Sequence, residues 1–138
     1  MAIDAYEGRD VAIVDVLGAY LHTDMPQPQG KTVLLKLKGD FEDIMCSVNK
    51  EFTPHVVYEG KTKVLYMEIL WAIYGCLEST MLSYNLYVTT LKGMGFELNP
   101  YDLYVANKII NGKQCTIVWY VDDNKISHED PAIVDTII

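Results

Sequence analysis

An α+β domain built on an antiparallel sheet is the fold class this 138-residue sequence predicts, and three observations carry it. Short β-branched runs are separated by turn chemistry and not by long helical crossovers. Two of these runs are joined by Asn111-Gly112, the dipeptide that favours a two-residue hairpin turn. One long stretch, 79–94, repeats Met81, Tyr84, Val88 and Leu91 at the helical period and gives the sheet a cover on one face. With 50% hydrophobic residues the chain can fill a core of one domain's size.

The first strand is 10–16, "DVAIVDV", a buried run ending near Asp15. "GAYLHTDMPQPQG" follows as a turn-rich connection. "TVLLKLK" alternates as a strand. Asp40 then precedes Phe41, Ile44, Met45 and Val48 at helical spacing, with Asp43 three residues on, which predicts a short helix over 41–50 capped by Asp40. "KVLYMEI" is another strand, and the 79–94 helix exits at Gly93 and Gly95. Strands 103–109 and 114–121 form the Asn-Gly hairpin. A last strand, 124–127, places the adjacent acids Asp122 and Asp123 in a second hairpin turn. Asp130-Pro131 then reads as a helix N-cap and first turn. The chain stops seven residues later, which predicts a fragment. The expected sheet therefore contains 10–16, 103–109, 114–121 and 124–127.

Composition restricts the partners. The chain has 19 Asp and Glu against 11 Lys and Arg, a net charge of −8, and one arginine, Arg9. Such a balance argues against a free-standing nucleic-acid binder. Cys46, Cys76 and Cys115 are far apart and flanked by apolar residues, so they read as reduced core thiols with no zinc pattern. The start, "MAIDAYEGRD", has acids where a signal peptide carries positive charge. The longest apolar run, "ILWAIYGCL", is too short to span a bilayer.

Asp122 and Asp123 pose a chemical question. Adjacent carboxylates repel, and beside an apolar sheet they are poorly solvated, so a positive partner is expected. With Asp15 on a neighbouring strand end they make three carboxylates, a ligand set suited to Mg²⁺ or Mn²⁺ in a two-metal phosphoryl transfer. The same residues also suit a strand-end cap and ordinary turn chemistry. Spacing alone leaves both readings open.

Four blocks in order add a resemblance. "VAIVDVLGAYL" resembles motif A of reverse transcriptases, and "YVDD" matches their motif C. "WAIYGCLES" is similar to the "ALYGL" block of Ty1/copia retrotransposon polymerases, and "GFELNPYDLYV…NGKQCTIVWYVDD" follows that family's order. The match runs from Val11 to about Pro131, so residues 1–138 resemble a partial reverse transcriptase domain, from motif A to just past motif C. It implies a polymerase palm-like antiparallel sheet with helices on one face, incomplete fingers and no thumb. The implied activity is RNA-directed DNA synthesis by two-metal nucleotidyl transfer, with Mg²⁺ or Mn²⁺ held by Asp15, Asp122, Asp123 and the backbone of Val16. Val16 would also contact the triphosphate, and Tyr20 would pack under the sugar of the incoming nucleotide. Tyr74 and Gly75 would lie near the templating pair, and Tyr120 and Val121 at the primer end. Without that resemblance Tyr20 would read as a core aromatic and Gly75 as a helix-start turn. The implied partners are an RNA template, a DNA primer, deoxynucleoside triphosphates and the remaining polyprotein segments (integrase, the rest of the fingers, thumb and RNase H), with no membrane. The implied location is a cytoplasmic retroelement particle or the nucleus.

Departures from the family pattern run alongside these matches. Trp71 stands at a usually basic position, Cys76 replaces leucine, Ser83 replaces a tryptophan, and Asn124 replaces an apolar strand residue. They define an alternative: an inactive retroelement remnant that folds, with or without binding Mg²⁺, and does not polymerise. "VDDNK" also resembles the acid pair of receiver domains, but only fifteen residues follow Asp123, too few for that fold's phospho-accepting strand.

Overall fold

The computed structural model describes residues 2–27 and 30–138; Pro28 and Gln29 of the expected turn-rich connection lie outside the described residues. The protein is α+β, with two antiparallel sheets. Helix α1 (Ala2–Glu7) leads into β1 (Asp10–Asp15). Next come β2 (Leu34–Lys38), α2 (Asp40–Val48), β3 (Val56–Glu59) and β4 (Thr62–Glu68). The second half holds α3 (Leu77–Gly93), β5 (Glu97–Leu98), β6 (Val105–Ile110), β7 (Lys113–Tyr120), β8 (Asp123–His128) and α4 (Pro131–Ile137). The larger sheet has the order β1-β8-β7-β6-β5, and the smaller one β2-β4-β3.

The large sheet is the expected one with its ends adjusted, but β1 is an edge strand, exposed or half-buried at every position, and not the buried run the sequence predicts. Its strands run 10–15, 105–110, 113–120 and 123–128, and the two-residue edge strand β5 was not foreseen. Asn111 and Gly112 both have positive φ, 52° and 79°, the primed geometry that matches the twist of the flanking strands. Along β7, Cys115, Ile117 and Trp119 are buried against Val88 and Leu91 of α3, Phe96, Ala106, Ile126 and Val134 of α4. The alternation of side chains sends Thr116, Val118 and Lys125 to the opposite face.

That opposite face is not bare. After the left-handed Gly8 (φ 63°) helix α1 folds back over it, and Asp4 forms an ion pair with Lys125. Arg9, its side chain only 5% exposed, binds Glu7 at 2.7 Å and Thr116 Oγ1 at 3.1 Å, and Thr116 donates to Asn107 at 2.9 Å. Helices thus lie on both faces, not on one. An acid-rich hexapeptide gave no apolar period to announce α1.

Two further expectations change. Helix α2 begins at Asp40, and its N-cap is Gly39 with no side-chain cap, so Asp40 lies inside the first turn. Its stripe Phe41, Ile44 and Val48 faces out, while Glu42 is buried and accepts from Cys46 Sγ at 3.8 Å. Only Cys115 is a core thiol; Cys46 and Cys76 are half-buried. Asp130 does cap α4, accepting from Ala132 N at 3.0 Å with Pro131 at the first turn. No helix among the described residues is long and apolar enough to cross a membrane.

Candidate functional site

The acids singled out from sequence lie where β1 meets the β7–β8 hairpin. Asp15 ends β1 directly opposite Asp123, and Tyr120 closes the hairpin opposite the same residue. Directly paired residues share a face, so Asp15, Asp123 and the 73%-exposed Tyr120 lie together on the face away from α3. Val121 and Asp122 are the two central turn residues. Asp123 is already in the strand, not in the turn.

Val121 carries the strain of this corner. Its φ is 57° while Asp122 has no positive φ, the pattern of a type II′ turn, which normally takes glycine at the first central position. A β-branched residue there is an outlier, held because the turn is tied from both sides. Val16 N donates to Asp122 O at 2.8 Å, and Asn124 Nδ2 donates to the same carbonyl at 3.0 Å.

Asn124 corrects the sequence reading. Read there as standing in place of an apolar strand residue, it is 4% exposed and bonded at both ends, since Tyr87 OH donates to its Oδ1. It therefore links α3 to the hairpin that carries the acids. Burial pushes the Tyr87 phenol up to about 12. Sequence reasoning passed over Tyr87, although it follows Tyr84 by three residues on the sheet-facing side of α3.

The three acids are brought to one corner but do not converge. Asp122 Oδ2 accepts from Tyr74 OH at 3.4 Å. Lost hydration and the Asp122 carboxylate raise the Tyr74 phenol above its ordinary value, with smaller contributions from Tyr20 and Asp15. Among the described residues no three His, Cys, Asp or Glu side chains make a group that could hold a metal ion. The Val16 carbonyl accepts from Ala19 N at 3.1 Å, which leaves one lone pair. As donors, carboxylates and a carbonyl fit a hard divalent cation; as placed, Asp122 is turned to Tyr74.

Tyr20 takes a core environment. It is 7% exposed, clusters with Met25, Ile69 and Ala72, meets Tyr74 edge-on at 4.5 Å, and pairs its hydroxyl with Thr80 Oγ1 at 3.3 Å. Gly75 has φ 93°, a left-handed turn two residues before α3, as its structural reading required. Comparison with protein families, characterised proteins and solved structures finds no match to this chain.

Proposed function

We propose that the chain is the palm segment of a Ty1/copia-type RNA-directed DNA polymerase. The observation that carries this reading is the pairing of Asp15 with Asp123 beside a strained turn that also carries the half-buried Asp122. The four sequence blocks support it, because the first and last of them meet at this corner. Asp15, Asp122 and the free lone pair of Val16 O would hold Mg²⁺ or Mn²⁺, with Asp123 next to them. A bound cation would supply charge neutralisation for phosphoryl transfer. The chain's own part is positioning: Val16 N and Asn124 fix the carbonyl of Asp122, and Tyr120 offers a ring beside the acids.

A second reading has its own observation. Tyr74 occupies a carboxylate oxygen of Asp122, and the acids do not converge, which suits a folded remnant that does not polymerise. Mn²⁺ titration followed by electron paramagnetic resonance, with and without a deoxynucleoside triphosphate, separates the two. The polymerase reading expects saturable binding that the nucleotide strengthens and that Asp15→Asn and Asp122→Asn each weaken on the order of tenfold. Binding that ignores both substitutions would remove the acids from the site. The absence of binding selects the remnant.

A further inference from the structure

Beneath the 120–123 hairpin, on the α3 side, lies a cleft partly open to solvent. A cavity of about 260 Å³ is lined by Tyr20, Ser83, Tyr84, Tyr87, Tyr104 and Val121, among others. A neighbouring space of about 140 Å³ shares Ser83, Tyr87 and Val121 with it. Ser83, a short side chain among tyrosines, therefore sits where the two spaces meet. The space opens to solvent past the exposed Tyr104 and Tyr120, so it is a cleft a small ligand can enter and not a sealed void.

The walls specify what could fill it. The Tyr20 hydroxyl pairs with Thr80, Tyr84 donates to Leu103 O at 3.2 Å, and Tyr87 donates to Asn124, so these phenols present rings with their polar ends satisfied. Tyr84, Tyr87 and Tyr104 all pack on Trp119, with ring centroids 6.3, 5.1 and 5.9 Å away, which holds them in place. Ser83 makes no side-chain hydrogen bond among the described residues. Aromatic walls favour a flat π-system, and the spare hydroxyl can accept one N–H or donate one O–H. A charged guest would be desolvated without a partner.

We propose that this cavity is a binding site for an uncharged, planar heteroaromatic of one or two rings carrying a hydrogen-bond donor, of the indole class. The volume lies just below that of drug-sized pockets, which suits a fragment of this size. The site needs no metal, so it stands whether or not the acids work as a polymerase centre. Indole itself is the probe, titrated into ¹⁵N-labelled protein. Saturable shifts of the Ser83 and Val121 amides are expected, with a dissociation constant on the order of 1 mM for a ligand this small. Ser83→Trp places an indole in the cleft from within and should weaken binding by at least about tenfold, whereas Ser83→Ala keeps the room but loses the hydrogen-bond partner and should weaken it only about threefold. In the unsubstituted protein, nuclear Overhauser contacts from indole to the Tyr84 and Tyr87 rings locate the ligand without relying on either variant. Absence of saturable shifts, contacts elsewhere, or unchanged affinity in a folded Ser83→Trp protein would overturn the proposal. So would preferential capture of tetramethylammonium, which would make the tyrosines a cation cage.

Discussion

Removing one oxygen from Tyr87 should unsettle the hairpin that carries the acids. In Tyr87→Phe the ring stays, but Asn124 Oδ1 loses its donor while the side chain remains 4% exposed. An acceptor stranded in that position costs about 1–3 kcal/mol. Asn124→Leu alone strands the Tyr87 hydroxyl instead and strips the Asp122 carbonyl of its second donor, for a similar loss. The double variant removes both ends of the bond, so its loss should fall short of the sum by about 1–2 kcal/mol. Alkali gives an independent readout. The Tyr87 phenol moves from 10.0 to about 12 on folding, so between those values the folded protein binds more protons than the unfolded chain and stability falls as pH rises. At about 1.4 kcal/mol per unit the decline approaches ~3 kcal/mol by pH 12, and none of it remains in Tyr87→Phe. Urea unfolding followed by far-ultraviolet circular dichroism at pH 7, 10 and 11.5 measures both effects. Additive single losses, together with an alkaline decline identical in the two proteins, would refute the link between α3 and the hairpin.

Two further perturbations follow from the same geometry. Val121→Gly should stabilise the protein by about 1 kcal/mol, because the left-handed cost of a β-branched residue exceeds the entropy that glycine adds to the unfolded chain; a lower midpoint in urea would show that the turn is not strained. On the face of the sheet away from α3, the Lys125 ammonium holds Asp4 well below the usual carboxylate range, so this pair stabilises the fold above the unfolded carboxylate pKa and is lost as pH falls. Asp4→Asn should therefore lower stability at pH 7 and leave it nearly unchanged at the acid extreme, and an equal loss at both pH values would contradict the pairing.

Much of this fold was legible where local signals and tertiary demands agree. The Asn-Gly turn, the alternation through β7 and the apolar period of α3 each point to one conformation, and each element formed within two residues of its expected bounds. The misses share a cause. Helix α1 is held by an ion pair from Asp4 to Lys125, 121 positions away, β5 is two residues long, and β3 follows a 3₁₀ turn with no periodicity of its own. Helix α2 formed as its spacing required but turned the other face inward, because spacing fixes a stripe and not its direction. At the site, the corner of Asp15 and Asp123 followed from strand register, which a two-residue period encodes. The bonding of Asp122 to Tyr74 and of Asn124 to Tyr87 did not, since each joins side chains 48 or 37 positions apart.

Strand β1 is the outermost strand of its sheet, and that position has a consequence for solubility. Its free edge exposes the apolar segment 11–14, short and β-branched, to pairing with the same edge of another molecule. Asp10 and Asp15 bracket that segment, and their charges oppose a second strand laid alongside. Asp15 would thus guard the edge as well as face the hairpin. Neutralising it, by substitution or by acid, should shorten the lag before fibrillar or amorphous assembly even where the folded state is intact. Light scattering on Asp10→Asn, which leaves the hairpin corner untouched, would show how much of any defect in Asp15→Asn belongs to the edge and how much to chemistry.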